Sequence, residues 1–330
     1  MRDERTLYIV VPCYNEEAVL PETSKRLREK LQDLTAQGKI STRSRVLFVN
    51  DGSKDRTWEI IAGLHAENPI FSGVDLSRNR GHQNALLAGL MTAVNFADMI
   101  ISMDADLQDD INAVDAMLDK FYEGADIVYG VRSKRTTDTF FKRFTAESFY
   151  KIMNNLGANT VYNHADYRLM SRRALLGLAE FGEVNLFLRG LVPMVGYKSE
   201  VVSYERTQRF AGESKYPFGK MLSFALEGIT SFSTKPIRMI TGLGFFIFFV
   251  SIVVLIYSLI RHYTGHTIPG WTTTVLSVWA IGGLMMISQG VIGEYVGKIY
   301  LETKNRPRFI IESYIADPKD IEIYKNSEHR

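Results

Sequence analysis

Met99-Ile100-Ile101-Ser102-Met103-Asp104-Ala105-Asp106-Leu107-Gln108-Asp109 is the stretch that decides how the rest of the chain is read. An apolar run of strand length ends abruptly on alternating acids. Side chains two apart in an extended chain point the same way. Asp104 and Asp106 can therefore offer their oxygens to one point at the strand's end. Open α/β sheets bind ligands at the carboxyl ends of their strands. Hard divalent cations such as Mg2+ or Mn2+ take few carboxylates and keep positions for phosphate oxygens. The pattern marks Asp104 and Asp106 as candidate metal ligands beside a phosphate-bearing substrate. A solvated acidic turn is the plainer alternative, because Asp-x-Asp on its own is common.

Three other strand ends bear on that choice. Apolar runs at 7–11, 45–49 and 71–75 read as strands, and each leads into a polar turn. The turns are Pro12-Cys13-Tyr14-Asn15-Glu16, Asn50-Asp51-Gly52-Ser53 and Ser77-Arg78-Asn79-Arg80-Gly81-His82. The Asp51 carboxylate can accept a hydrogen bond from a base N–H or a ribose hydroxyl, and Tyr14 can stack on a base. Helical periodicity falls at 17–34, 57–65, 84–94 and 112–122, with a further strand at 127–129. Strands alternating with helices imply a mostly parallel sheet covered by helices. No Gly-x-Gly-x-x-Gly follows the first strand, so the dinucleotide fingerprint is missing.

Composition narrows the function classes. The 330 residues carry 39 Lys and Arg against 37 Asp and Glu, a net charge of +2. A nucleic-acid partner is not expected from so even a balance. The single cysteine, Cys13, excludes a disulfide framework and a multi-cysteine metal site. The N-terminal Met-Arg-Asp-Glu-Arg does not read as a signal peptide. Mean hydropathy is −0.06, but it averages a polar front with a very apolar rear. No charged residue lies between Met239 and Ile260, nor between Arg261 and Glu294 apart from His262 and His266. About 20 apolar residues span a bilayer as a helix, so 237–260 and 272–293 are expected to cross one. Lys235 and Arg238 precede the first span, and Lys298, Lys304, Arg306 and Arg308 follow the second. The positive-inside rule then puts both termini and the main domain on the cytoplasmic side of the plasma membrane.

Two aromatic-rich amphipathic stretches, 139–156 and 217–232, suit the membrane interface, with ordinary core packing as the alternative. Between them lie Arg206, Arg209 and Lys215, cations placed for a lipid-borne phosphate or for anionic headgroups in general. The expected organisation is a catalytic domain over 1–216 that includes the first interfacial helix. An interfacial helix over 217–235, two spans within 236–298 and a cytoplasmic tail over 299–330 follow. Gly282, Gly283, Gly290 and Gly293 permit close helix contact and hence a homo-oligomer.

Taken together these motifs resemble glycosyltransferase family 2, with a GT-A fold, and within it the polyprenyl-phosphate glycosyltransferases related to dolichol-phosphate mannose synthase. The resemblance adds Asp166-Tyr167-Arg168-Leu169, Gly212-Glu213-Ser214-Lys215-Tyr216, Gly293-Glu294-Tyr295 and Arg306-Pro307 to the turns above, and it covers nearly the whole chain. It implies that Pro12, Tyr14, Glu16 and Asp51 hold the uridine. Asp104, Ala105 and Asp106 would meet the nucleotide-sugar, with Asp104, Asp106 and Gln108 on the metal and diphosphate. Arg132 would lie near a donor or lipid phosphate, and Arg206, Arg209, Ser214 and Lys215 would engage phosphate.

Asp166 takes the place usually given to a catalytic base. A phosphate monoester is already largely ionised near neutral pH, so an orienting role is equally open, as are a helix cap or a partner for Arg168. His82 and His164 read as hydrogen-bonding structural residues, and residues 183–189 as a helix-like stretch near the sugar pocket. Tyr167 stands where Phe is common. The implied activity is inverting, metal-dependent transfer of glucose or N-acetylglucosamine from a UDP-sugar to undecaprenyl phosphate. A processive polysaccharide synthase usually carries Gln-x-x-Arg-Trp and more spans, and this chain has neither. A catalytically inactive membrane scaffold is the rival from another class.

Overall fold

A computed structural model describes residues 5–132, 164–184, 186–205, 234–264 and 270–327. The alternation read from the sequence is present. Strands β1 (Leu7–Cys13), β2 (Arg45–Asn50), β3 (Phe71–Leu76) and β4 (Met99–Ser102) alternate with helices α1 (Leu20–Ala36), α2 (Thr57–Glu67) and α3 (His82–Ala93). Helix α4 (Ala113–Tyr122) then leads to β5 (Ile127–Arg132). β1 is buried along its whole length, as a strand covered on both faces must be. α1 buries Leu20, Leu27, Leu31 and Leu34, one face at helical spacing.

The second half brings β6 (His164–Ser171), α5 (Arg172–Ala179), α6 (Leu188–Met194) and β7 (Ser199–Tyr204). Long helices α7 (Lys235–Tyr263) and α8 (Trp271–Lys304) follow, then β8 (Ile311–Ile315) and α9 (Pro318–Ser327). Among the described residues one eight-stranded sheet runs β7-β5-β6-β4-β1-β2-β3-β8. β4, β1, β2 and β3 are mutually parallel, as are β5 and β7. β6 is antiparallel to both β4 and β5, and β8 is antiparallel to β3. The mostly parallel α/β architecture expected from the sequence is thus a mixed sheet with two antiparallel insertions.

Both insertions escaped the sequence reading for physical reasons. β6 carries Asp166 and Arg168, which are 8% and 2% exposed. Buried charges of opposite sign on one strand pair with each other, and their polarity hides the strand signal. β8 is short and follows the apolar helices, in a stretch read as a tail. Residues 183–189 also differ from expectation: the helix begins only at Leu188, and 181–184 and 186–187 are irregular.

The chain divides into two compact units. The sheet and its helices form the first, which regains the chain from Arg306 onward, and α7 and α8 belong to the second. Within α7, Lys235–Val254 is apolar enough to cross a membrane, with a mean hydropathy of 2.3 and none of it buried. Two spans were expected, and among the described residues this is the one helix that meets the criterion. α8 is continuous through 272–293 and exposes Trp279, Met286 and Ile287. Residues 139–156, 217–232, Arg206, Arg209, Ser214 and Lys215 lie outside the described residues.

Candidate active site

Parallel pairing aligns the strand ends. Cys13 sits opposite Asn50, and Asn50 opposite Asp75. The loops beyond them are tied together by side chains acting on backbone. The Asn15 N–H donates to Ser53 Oγ at 3.0 Å, and the Lys54 N–H donates to Asn15 Oδ1 at 2.9 Å. The Glu16 N–H donates to Thr57 Oγ1 at 2.9 Å. Asn15 holds φ 55°, a left-handed conformation that Asn tolerates better than most residues. Pro12 is buried within β1 opposite Val49, whereas Tyr14 is 43% exposed.

Asp51 is 2% exposed. Its Oδ1 accepts the Arg80 N–H at 2.6 Å and its Oδ2 the Gly81 N–H at 2.9 Å. Burial raises its pKa, and these two backbone donors offset only part of that. Asp51 therefore locks the loop after β3 against the loop after β2. Gly52 makes the approach possible: at φ +61° a Cβ here would stand 2.5 Å from the Asn79 nitrogen.

The loop after β4 is built differently. Thr23 Oγ1 donates to the Ala105 carbonyl at 2.8 Å, and Asp106 Oδ1 accepts the Gln108 N–H at 3.1 Å. Leu107 between them is buried at φ 57°. A left-handed leucine is a strained conformation that persists only where its surroundings fix it. Asp109 Oδ1 accepts from the Tyr204 hydroxyl at 2.5 Å and from Arg132 Nη2 at 3.3 Å. Tyr204 ends β7 and Arg132 ends β5, so the acidic motif is clamped by two neighbouring strand ends. Asp109 Oδ2 is buried and has no hydrogen-bond partner among the described residues.

Antiparallel register brings in the remaining acid. Ser102 of β4 faces Arg168 of β6, so continuing the ladder places Asp104 beside Asp166. The Ser102 hydroxyl donates to the Asp166 carbonyl at 2.5 Å. The Asp166 carboxylate meets Arg168 Nη2 at 2.6 Å through Oδ1 and Arg189 Nη2 at 3.1 Å through Oδ2. His82 Nε2 lies 3.7 Å from Asp166 Oδ2 and 3.5 Å from Asp104 Oδ1. Gln83 Oε1 accepts the Leu188 N–H at 2.9 Å, which fixes the start of α6 against the start of α3.

Electrostatics separate these two acids. Burial, reinforced by Asp109, Asp166 and Asp106, pushes the Asp104 carboxyl up to about 6 against the pull of His82. For Asp166 burial acts the same way, but His82, Arg168 and Arg189 outweigh it and hold the carboxyl well below the usual range. The His82 imidazole is raised: burial opposes its charge, and Asp166 and Asp104 more than compensate.

Asp51, Asp104, Ala105, Asp106, Gln108, Arg132 and Asp166 all lie at or beside one edge of the sheet. Asp166 is on a strand, not at a helix cap, and it does pair with Arg168. His82, expected as a structural hydrogen-bonder, stands between two acids. Asp109 was noticed only within the acidic motif, and Arg189 only as the end of the 183–189 stretch read as near the sugar pocket. Tyr204 was not singled out, because strand register brings it in.

A polar strand-end edge, an Asp-x-Asp turn and clustered arginines on one α/β sheet fit a glycosyl-transferring class. The description "Glycosyl transferase family 2" matches residues 8–177. The chain belongs to that family and is a glycosyltransferase. The uncharacterized glycosyltransferase YkoT of Bacillus subtilis (strain 168) is 53% identical over 94% of this chain and 92% of its own length. A bactoprenol glucosyl transferase of Shigella phage SfX is 40% identical over 92% of this chain and 98% of its own. A prophage bactoprenol glucosyl transferase homolog of Escherichia coli (strain K12) is 39% identical over 92% and 97%.

Proposed function

We propose that this enzyme transfers a sugar, glucose in the first instance, from a UDP-sugar to a polyprenyl phosphate such as undecaprenyl phosphate. The acceptor's phosphate oxygen attacks the anomeric carbon, the bond to the diphosphate breaks with inversion, and UDP leaves. The observation that carries this reading is the apposition of the Asp104–Asp106 turn to the Asp166, Arg168 and Arg189 cluster across the β4–β6 ladder. The names of the bactoprenol glucosyl transferases support the acceptor class and the sugar.

Tyr14 is exposed beside the Asp51 lock, as a base-stacking ring would be, with Glu16 and Pro12 shaping the same turn. Asp104, Asp106 and Gln108 offer hard oxygen donors that suit Mg2+ or Mn2+. Burial, and then the neighbouring carboxylates, push the Asp104 carboxyl up to about 6, and a bound cation would offset both. Among the described residues no group of three or more His, Cys, Asp or Glu could hold a metal by itself. A bound cation would neutralise the departing diphosphate.

Asp166 serves as an orienting group in this reading: a carboxylate already paired with two guanidiniums is a weak base. Arg132, Arg206, Arg209, Ser214 and Lys215 are assigned to phosphates of donor and acceptor. Helices α7 and α8 are assigned to the plasma membrane, with the sheet unit and both termini cytoplasmic. The test is full-length protein with polyprenyl phosphate, several UDP-sugars and Mn2+. Lipid-linked sugar formed from one donor and lost in Asp106→Ala is the expected result. No lipid product with any donor sinks the proposal.

A further inference from the structure

The acidic turn has a strained residue at its centre. Leu107, at φ 57°, lies between Asp106 and Gln108, two of the residues assigned above to the cation. Its left-handed backbone folds the chain back, so that the Gln108 N–H reaches Asp106 Oδ1 at 3.1 Å. A leucine keeps such a conformation only where its surroundings over-determine it.

Two phenols supply that constraint from outside the turn. The Tyr204 hydroxyl donates to Asp109 Oδ1 at 2.5 Å, and the Tyr167 hydroxyl donates to the Asp110 carbonyl at 3.0 Å. They grip consecutive residues. Their rings also meet edge to face, with centroids 5.3 Å apart and planes at 81°. That contact crosses a strand, because β5 lies between β6 and β7 in the sheet. Gly130 of β5 leaves the room: a Cβ there would stand 2.9 Å from Tyr167 Cδ1. Tyr204 is in register with Arg132. Arg132 Nε donates to the Tyr204 oxygen and Arg132 Nη2 to Asp109 Oδ1, both at 3.3 Å. The three side chains close a ring of hydrogen bonds in which each bond polarises the next.

These groups act through the turn and not on substrate. The Asp109 side chain is 1% exposed, and its Oδ2 is buried without a hydrogen-bond partner among the described residues. A half-satisfied buried carboxylate is a cost to stability, so its place is explained by what it positions. Both phenols are buried too. Burial raises the pKa of each, with the Asp109 carboxylate adding to it, so both remain protonated donors.

We propose that Tyr204 and Tyr167 are positioning residues for the divalent cation: their hydroxyls hold the turn in its strained shape and keep Asp106 and Gln108 ready to receive the metal. Without the clamp the turn relaxes, and cation binding has to restore that shape from its own free energy. This rests on the transferase reading above. The two hydroxyls differ in weight. Tyr204 donates to a carboxylate and Tyr167 to a neutral carbonyl, and hydrogen bonds to charged groups are the stronger. The smaller share fits a position where Phe is common.

The experiment uses full-length enzyme in lipid nanodiscs, comparing wild type with Tyr204→Phe, Tyr167→Phe and the double variant. It measures UDP binding by calorimetry with Mn2+ and with EDTA, the Mn2+ concentration that half-activates transfer, and thermal unfolding. Tyr204→Phe is expected to weaken UDP binding in Mn2+ by about 10-fold and to leave binding in EDTA unchanged. Half-activation moves to higher Mn2+, and saturating Mn2+ restores kcat. Tyr167→Phe shifts the same readings less, and the double variant shifts them most. The inference is overturned if Mn2+-dependent binding stays within about twofold of wild type in the double variant. It is also overturned if UDP affinity falls equally in Mn2+ and in EDTA, or if activity falls with thermal stability and added Mn2+ restores nothing. Wild type that binds UDP no better in Mn2+ than in EDTA overturns it outright. Wild type that shows the Mn2+ dependence but makes no lipid-linked sugar sinks the parent reading instead, and the binding arms still decide the role of the two tyrosines.

Discussion

The two halves of the sheet's binding edge are made rigid by different means. At the ends of β1, β2 and β3, polar side chains act on backbone: Asp51 on the Arg80 and Gly81 N–H groups, Asn15 on Lys54, and Ser53 on Asn15. At the ends of β4 and β6, charged side chains act on each other: Asp166 on Arg168 and Arg189, and His82 between Asp104 and Asp166. Hydrogen bonds to backbone set a shape and leave little net field. Converging charges set a field that answers to the charge of whatever binds. A nucleoside needs the first, and a reaction that shifts charge between phosphate oxygens needs the second.

Asp104→Asn tests that division most severely. Transfer is expected to fall by on the order of 1,000-fold, while the fold is retained. Stability without added cation should hold or rise at pH 7. A carboxyl pushed up to about 6 is disfavoured as an anion in the folded state, so neutral Asn removes a penalty. The penalty grows as pH rises from the unfolded value near ~4 and is complete above about 6. The stability difference between wild type and variant should therefore shrink as pH falls through that window. A variant that loses activity because it unfolds would break the comparison.

Asp166→Asn should behave in the opposite sense. It leaves Arg168 buried without its counter-charge, which costs roughly 3–5 kcal/mol. Because the folded-state pKa is depressed, the wild-type advantage is complete above the ordinary carboxylate value of about 4. It is lost as pH falls below that toward the folded value. Denaturation of both proteins at pH 7 and at pH 3 checks this, and equal stability at pH 7 would show that the charges are not what holds this half together.

Gly52→Ala sharpens the other side. A Cβ 2.5 Å from the Asn79 nitrogen at φ +61° forces the two loops apart, at a cost of roughly 1–3 kcal/mol. UDP affinity should drop while kcat at saturating donor changes little. A loss confined to kcat would mean that the loop lock serves chemistry and not binding.

What the sequence disclosed follows the same line. The backbone-ordered half was legible, because short apolar runs ending in Asn, Asp, Gly and Ser betray strand ends and turns locally. The motif from Asp104 to Asp109 was legible for the same reason. The charge-ordered half was only partly so. Asp166 was noticed through the resemblance, but its strand was not, since Asp-x-Arg on a buried β6 looks polar until register pairs the two. Arg189 came from a stretch read as helical and near the sugar pocket, of which only Leu188 and Arg189 are in a helix among the described residues. Its approach to Asp166 follows from the docking of Leu188 on Gln83, which no local pattern announces.

The least expected contributor lies farthest along the chain. β8 closes the sheet against β3, and the Ser77 N–H donates to the Ile310 carbonyl at 3.0 Å where the loop toward His82 begins. Arg308 Nη2 donates to the Phe181 carbonyl at 2.5 Å, at the start of the segment that leads to Arg189. The residues after α8 thus brace both loops that supply cations to Asp166, one of which, after β3, is also the loop that Asp51 holds. Arg308→Ala removes this hydrogen bond from a charged donor to a carbonyl, worth about 1.5–3 kcal/mol and less where water replaces it. It should speed amide hydrogen exchange in 181–187 and lower kcat a few-fold, with Arg308→Lys intermediate and UDP affinity unchanged. UDP affinity falling in step with kcat would show that the brace reaches both halves, and the division between them would then be one of chemistry alone and not of mechanics.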